Sequence, residues 1–244
     1  MRLCITLILT LTLININAQS NNNQEPWVGL NNIFYKSKDV ITSRLLIPSD
    51  SNIVAVDELI DHQLSLGLFF RRNRKDNTYY QIDFSLNRNR YLDATVVEKT
   101  MMNGATIIEP TRGQEIKTFN TSAGYRKGKT FRMIPKLYID VGVRGSIWYQ
   151  KENITPVTAM PFPLENTSFG IGLSVIGGFN YQVFDKLIIG YNLTPISIIG
   201  YWNREYVDNR VLTDDQKINT SVNFDSSFFE STIDLRNILI AYIF

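Results

Sequence analysis

The stretch Leu137-Tyr138-Ile139-Asp140-Val141-Gly142-Val143-Arg144-Gly145-Ser146-Ile147-Trp148-Tyr149 alternates residue by residue. Leu137, Ile139, Val141, Val143 and Ile147 fall on one parity, and Asp140, Gly142, Arg144 and Ser146 on the other. Successive side chains of a β-strand point to opposite faces, so this is a strand with one apolar face and one polar or small face. The same period runs through residues 64–70, where Leu64, Leu66, Leu68 and Phe70 share a face. It recurs where Tyr80, Ile82, Phe84 and Leu86 oppose Gln81, Asp83 and Ser85, and where Phe169, Ile171, Leu173 and Val175 oppose Gly170, Gly172 and Ser174. No long stretch carries a helical period, so the chain reads as all-β.

The chain has 244 residues, 44% hydrophobic and 20% charged, with 14 Gly, 8 Pro and one Cys. That is enough for one medium-sized domain. A formal net charge of +2 excludes a nucleic-acid binder driven by bulk positive charge. Beyond the N-terminus no apolar run reaches the about 18 residues of a membrane helix. At the N-terminus, Arg2 precedes a run, 3–14, that is apolar apart from threonines, and Asn15-Ile16-Asn17-Ala18 follows. A positive start, a short apolar stretch and a small residue at the cut read as a secretory signal cleaved after Ala18. Cys4 lies before the apolar run and is not the lipid-bearing cysteine of a lipoprotein. The expected organisation is a signal peptide at 1–18, a flexible leader at 19–26 with Asn21-Asn22-Asn23, and a barrel domain at 27–244. The mature chain then lacks cysteine and is held together by its fold alone.

Strands are expected near 27–46, 60–72, 78–88, 114–126, 135–150, 167–183, 187–204 and 223–244. Lys36, Lys38 and Asp39 interrupt the pattern of the first. Short links (73–78, 127–133 and 184–186) alternate with long ones (48–59, 89–113, 151–166 and 205–222). An even strand number, with short turns at one end and long loops at the other, describes an eight-stranded antiparallel up-and-down transmembrane β-barrel. Thr95-Val96-Val97 and Ala105-Thr106-Ile107-Ile108 could form a further hairpin, either raising the count to ten or extending the wall above the membrane.

Three strands carry a belt of constant height. The apolar faces 137–149, 169–181 and 189–201 each span about 12 residues, which rise roughly 30 Å at about 3.3 Å per residue and a tilt of about 40°. Tyr149, Phe169, Tyr181 and Tyr201 bound the belt, with Tyr138, Trp148 and Trp202 close by. Aromatic rings favour the membrane–water interface, where one edge is wet and the other dry.

The chain ends Ile238-Leu239-Ile240-Ala241-Tyr242-Ile243-Phe244, with Ile238, Ile240, Tyr242 and Phe244 on one parity. Together with the signal peptide and the strand pattern, this ending resembles the porin-like small outer membrane protein beta-barrel domain family of Gram-negative bacteria. The resemblance implies residence in the outer membrane, contact with its lipids and lipopolysaccharide, and a C-terminal signal read by the barrel-assembly machinery. Continuing the terminal parity upward places Asp234 and Arg236 on the lipid face, whereas Ile233 and Leu235 fit the opposite parity. A β-bulge is therefore expected near 236–237.

Eight strands enclose an interior just wide enough for side chains to fill. Asp83, Asp140, Arg126 and Arg144 fall on inward parity and are expected to form a lumenal ionic network, because opposite charges in a confined space satisfy one another. The rival is a narrow ion path or a carrier of small hydrophobic molecules, for which Gly170, Gly172, Gly177 and Gly178 leave volume.

Catalytic chemistry finds little to stand on. His62 is the one histidine; it shares outward parity with Leu64 and Leu66, while Ser65 faces the other way. Resemblance to the lipid A deacylases would need a serine where Leu64 stands. No enzymatic activity, cofactor or metal centre is expected, and Asp214-Asp215 reads as a solvated turn rather than a calcium site. Arg71-Arg72-Asn73-Arg74-Lys75 reads as solvated charge across a short turn. Arg88 and Arg90 lie on outward parity at the height of the outer headgroups, where guanidinium groups could pair with lipopolysaccharide phosphates. The expected role is structural or interaction-based, with an unknown extracellular ligand at the loops. The alternatives are a narrow porin or carrier and a soluble secreted β-barrel ligand binder.

Overall fold

The computed structural model describes residues 26–46, 52–74, 76–100, 106–156, 162–209, 212–228 and 238–244. The signal peptide, the leader as far as residue 25 and the bulge expected near 236–237 lie outside these residues. Nine strands follow in chain order: β1 (Pro26–Leu46), β2 (Asn52–Asn73), β3 (Thr78–Thr100), β4 (Thr106–Ile134), β5 (Leu137–Pro156), β6 (Leu164–Phe184), β7 (Leu187–Val207), β8 (Ile218–Phe228) and β9 (Ile238–Ile243). One helical turn, α1 (Asp214–Lys217), precedes β8.

All pairings are antiparallel, and they close on themselves. Neighbours in sequence pair from β1 to β7, β9 bridges β7 and β1, and β8 lies against the upper part of β7. β8 and β9 therefore occupy one position in the wall, and the ring has eight members. Following the rungs from Leu30 through Leu68, Phe84, Ala123, Ile147 and Ile171 reaches β7 at Gly200. Going the other way, through Ile240, reaches it at Ile189. That stagger per circuit tilts the strands of a closed barrel.

The short turns hold Arg74, Asp76 and Asn77 in the first, Pro135-Lys136 in the second and Asp185-Lys186 in the third. Asn77 and Lys136 adopt left-handed backbone (φ 61° and 73°), which tight turns demand. The link expected at 127–133 is strand: Lys127, Lys129 and Phe131 continue the outward parity below the belt. The two ends of the wall meet at this rim, where the Phe244 amide donates to the Pro26 carbonyl at 3.1 Å and that of Ile243 to Lys186 at 2.8 Å.

At the opposite end the links expected at 48–59 and 89–113 are also largely strand. Pairing continues to Leu46↔Ile53 and Thr100↔Thr106, so the expected hairpin is the continuation of β3 and β4 and not an extra pair. β1–β4 thus rise as a wall above the rest of the ring.

The described ladders shift register at five places, and two of these shifts bear on the lumen. On β1, Asn32 (φ 54°) and Ile33 face only Leu66, and above this point β1 parts from β9. On β7, Thr194 and Pro195 face only Ile176. Proline lacks the amide a ladder needs and is tolerated at a bulge. The extra residue reverses the parity of β7 above it, so Trp202 faces outward beside Phe169 while Tyr201 turns inward onto Trp148, ring centroids 5.8 Å apart. The placement of Tyr201 in the outer belt is thereby corrected. Tyr149, Phe169 and Tyr181 lie on the outer face.

Outside and inside are chemically inverted relative to a water-soluble barrel. Ile171 and Leu173 are about 60% exposed on the outer face, with Val143, Ile147, Phe84, Leu66 and Ile198 around the ring. The buried inner positions include Arg71, Gln81, Asp83, Arg126, Asp140 and Asn180.

Candidate functional site

The lumen near the short turns is filled from two sides. Trp27, Phe69, Ile188, Leu239, Ala241 and Ile243 form an apolar cluster on β1, β2, β7 and β9. Facing it, β3–β6 contribute polar groups, and Arg71 joins the halves. Its guanidinium lies 4.1 Å from the Trp27 ring centroid and 3.9 Å from that of Tyr79, a double cation–π arrangement. It also donates to both carboxylate oxygens of Asp140, to Thr130 Oγ1 and to Asn73 Oδ1. Asp140 accepts further bonds from Thr130 Oγ1 (2.8 Å) and Asn180 Nδ2 (2.7 Å). Arg71 and Asp140 are 1% and 2% exposed, so Arg71 is a lumenal residue. Its reading as solvated turn charge is corrected; Arg72 and Arg74, past the end of the lumen, are exposed.

The four residues expected to form one network divide. Asp83 accepts from Nε of Arg144 at 3.1 Å and pairs with its Nη2. Asp140 is taken by Arg71, and Arg126 reaches across the lumen from β4 to Asn192 Oδ1 on β7 at 3.0 Å. Gly128 lies under the Tyr79 ring, where any Cβ would come within 2.7 Å of it and 2.4 Å of the Val141 carbonyl. Gly170 lies under Trp148 in the same way, so these glycines admit the large rings.

Higher in the lumen, polar side chains bond to one another along the wall: Ser85 with Ser122 (2.7 Å), Ser168 with Asn203 (2.8 Å), and Ser65 with Asn87. On the outer face at the long-loop rim, Arg88 and Arg90 are exposed. Glu115 accepts from Arg90 and Lys117, each at 2.7 Å. The Lys117 ammonium, and then the Arg90 guanidinium, hold its carboxyl below the ordinary range. His62 bonds Asp39 at 2.7 Å through Nε2, with Ser37 its cross-strand neighbour. Ser65 points into the lumen. Asp214 is exposed and bonds Lys217. Ile240, Tyr242 and Phe244 face outward.

The inward position of Arg71 was legible from its parity with Gly67 and Phe69. The pairing of His62 with Asp39 was not, because it depends on cross-strand register.

No family model and no curated protein matches the chain. Among solved structures, the crystal structure of the beta domain of the Bordetella autotransporter BrkA overlaps 91% of this chain and 99% of that one. The identity is 10% and the TM-score 0.25, a superposition too loose to carry a reading of this chain.

Proposed function

We propose that the protein is an integral outer-membrane β-barrel of a Gram-negative envelope, non-conducting and non-enzymatic, acting as a structural element or as a binding platform outside the cell. The observation that carries this reading is the inverted polarity of a closed ring, apolar without and charged within. A soluble carrier places its apolar residues inside, whereas hydrocarbon demands that every backbone group be paired within the wall and that the outer face be apolar. The packed lumen near the short turns supports a barrel that does not conduct. The upper part of β1–β4 offers exposed Ile41 as a surface for partners. Outer-membrane lipids surround the belt, and Arg88 and Arg90 meet lipopolysaccharide phosphates. Ile238, Ile240, Tyr242 and Phe244 serve the assembly machinery.

The test combines fractionation with gel migration of boiled and unboiled protein, then conductance in planar bilayers. Outer-membrane partition, a heat-dependent migration shift and no single-channel steps are expected. A soluble, unshifted protein would overturn the membrane reading, and discrete steps would replace the platform by a narrow porin.

A further inference from the structure

Near the short turns the lumen holds more positive than negative charge. In the packed region and directly above it, Arg71, Arg126 and Arg144 face Asp83 and Asp140. The two carboxylates are each engaged by one arginine, Asp140 by Arg71 and Asp83 by Arg144. Arg126 is left over. It is 5% exposed, and among the described residues its only hydrogen-bond partner is the neutral Asn192 amide. Asp83 and Asp140 act on it electrostatically and Arg144 opposes them, but neither carboxylate pairs with it directly, and a buried guanidinium without an ion-paired partner is disfavoured.

The groups around it also lack partners. Gln81 sits directly across the β3–β4 ladder from Arg126 and is 1% exposed, and neither end of its amide has a partner among the described residues. Arg126 Nε is buried and unpartnered. Tyr79, one step below Gln81 on the same face, brings its hydroxyl close enough to interact with the Arg126 guanidinium, yet without a hydrogen bond in good geometry. Buried polar groups are almost always satisfied, so several such groups around one buried cation without an ion pair identify a place where something else completes them.

We propose that Arg126, Gln81 and Tyr79 form a lumenal binding site for a small monovalent inorganic anion, chloride in the first instance. The ion supplies the missing negative charge. It accepts from Arg126 Nε, from the Gln81 amide and from the Tyr79 hydroxyl, three donors on two adjacent strands. Water alone would satisfy the hydrogen bonds and leave the charge unbalanced. Arg144, directly opposite Arg126 on β5, keeps a partly exposed side chain and marks the side from which the ion enters. The site depends on the barrel interior alone and stands whether or not the outer face meets lipid.

The experiment is a thermal melt of the detergent-folded mature protein in sodium chloride, bromide and gluconate at matched ionic strength. Chloride and bromide should raise the midpoint by several degrees over gluconate and do so saturably, as a ligand of the folded state does. Arg126→Met should abolish the halide dependence and melt in gluconate at least as high as the parent protein. Gln81→Leu keeps the charge but removes one donor, and should shift half-saturation to several-fold higher halide. This second variant decides the matter if Arg126→Met fails to fold. Equal midpoints in chloride and gluconate would overturn the site, as would an unchanged halide response in either variant.

Discussion

Arg71 on β2 and Asp140 on β5, three strands apart in the ring, meet in a buried two-pronged ion pair between the rings of Trp27 and Tyr79. The pair crosses the lumen and ties opposite walls together. Breaking a buried pair by removing one partner typically costs about 3–5 kcal/mol, whereas replacing both with apolar residues of similar volume is often neutral. Asp140→Ala should therefore lower stability by about 3–5 kcal/mol, and Arg71→Met combined with Asp140→Leu should recover much of the loss. Denaturant unfolding of the three proteins in detergent measures both effects.

Gly170 and Trp148 form a second coupled pair. A Cβ at Gly170 would lie 2.5–2.7 Å from the Trp148 indole and meets nothing else as close. Gly170→Ala should cost about 1–3 kcal/mol by overpacking. In a Trp148→Leu background the same change should cost much less. A double-mutant cycle reads the coupling directly.

What the sequence made legible follows from how far each strand runs without a bulge. Residues 137–149 and 169–181 keep one parity throughout, so inner and outer faces could be assigned residue by residue. On β7 the count failed at Thr194-Pro195: a single added residue moved Tyr201 inside and Trp202 outside, and the proline within an otherwise regular strand was the available sign. The inward parity of Arg71 with Gly67 and Phe69 was outweighed by its company, since four of the five residues from 71 to 75 are basic and such a run looks like a turn. The raised parts of β1–β4 were hidden for another reason. With polar residues on both faces, as at Lys36, Ser37, Lys38 and Asp39, they lack the alternation that reveals a half-buried strand.

Glu115 restrains two of the cations at the long-loop rim. Its lowered carboxyl means that the pairing with Lys117 and Arg90 is complete above the ordinary glutamate value near 4.5 and is lost as the pH falls through the lowered value. At neutral pH, Glu115→Gln should release Arg90 and Lys117 and raise the amount of lipopolysaccharide that co-purifies. Arg88→Ala with Arg90→Ala should lower it. Phosphate analysis of the purified protein distinguishes the two directions, and no change in either would remove lipopolysaccharide from the proposed contacts.

The ring of Phe244 packs edge-on against Tyr242 at 5.0 Å, a contact worth about 0.5–1.5 kcal/mol. Phe244→Ala should therefore change the melting of refolded protein only slightly. If the terminal residues also serve as an assembly signal, the yield of heat-modifiable protein in cells should fall several-fold. Equal yields would leave Phe244 with its packing role alone.

The Thr194-Pro195 bulge makes β7 a strand read in two frames. Below it, even numbers face inward; above it, odd numbers do. Deleting one residue there would act as a frameshift, presenting Ser197 and Asn203 to the outside and Ile198 and Trp202 to the interior. Only a compensating insertion farther along the strand could restore the frame. Drift in this wall should thus accept many exchanges of one side chain for another, but changes of length only in matched pairs.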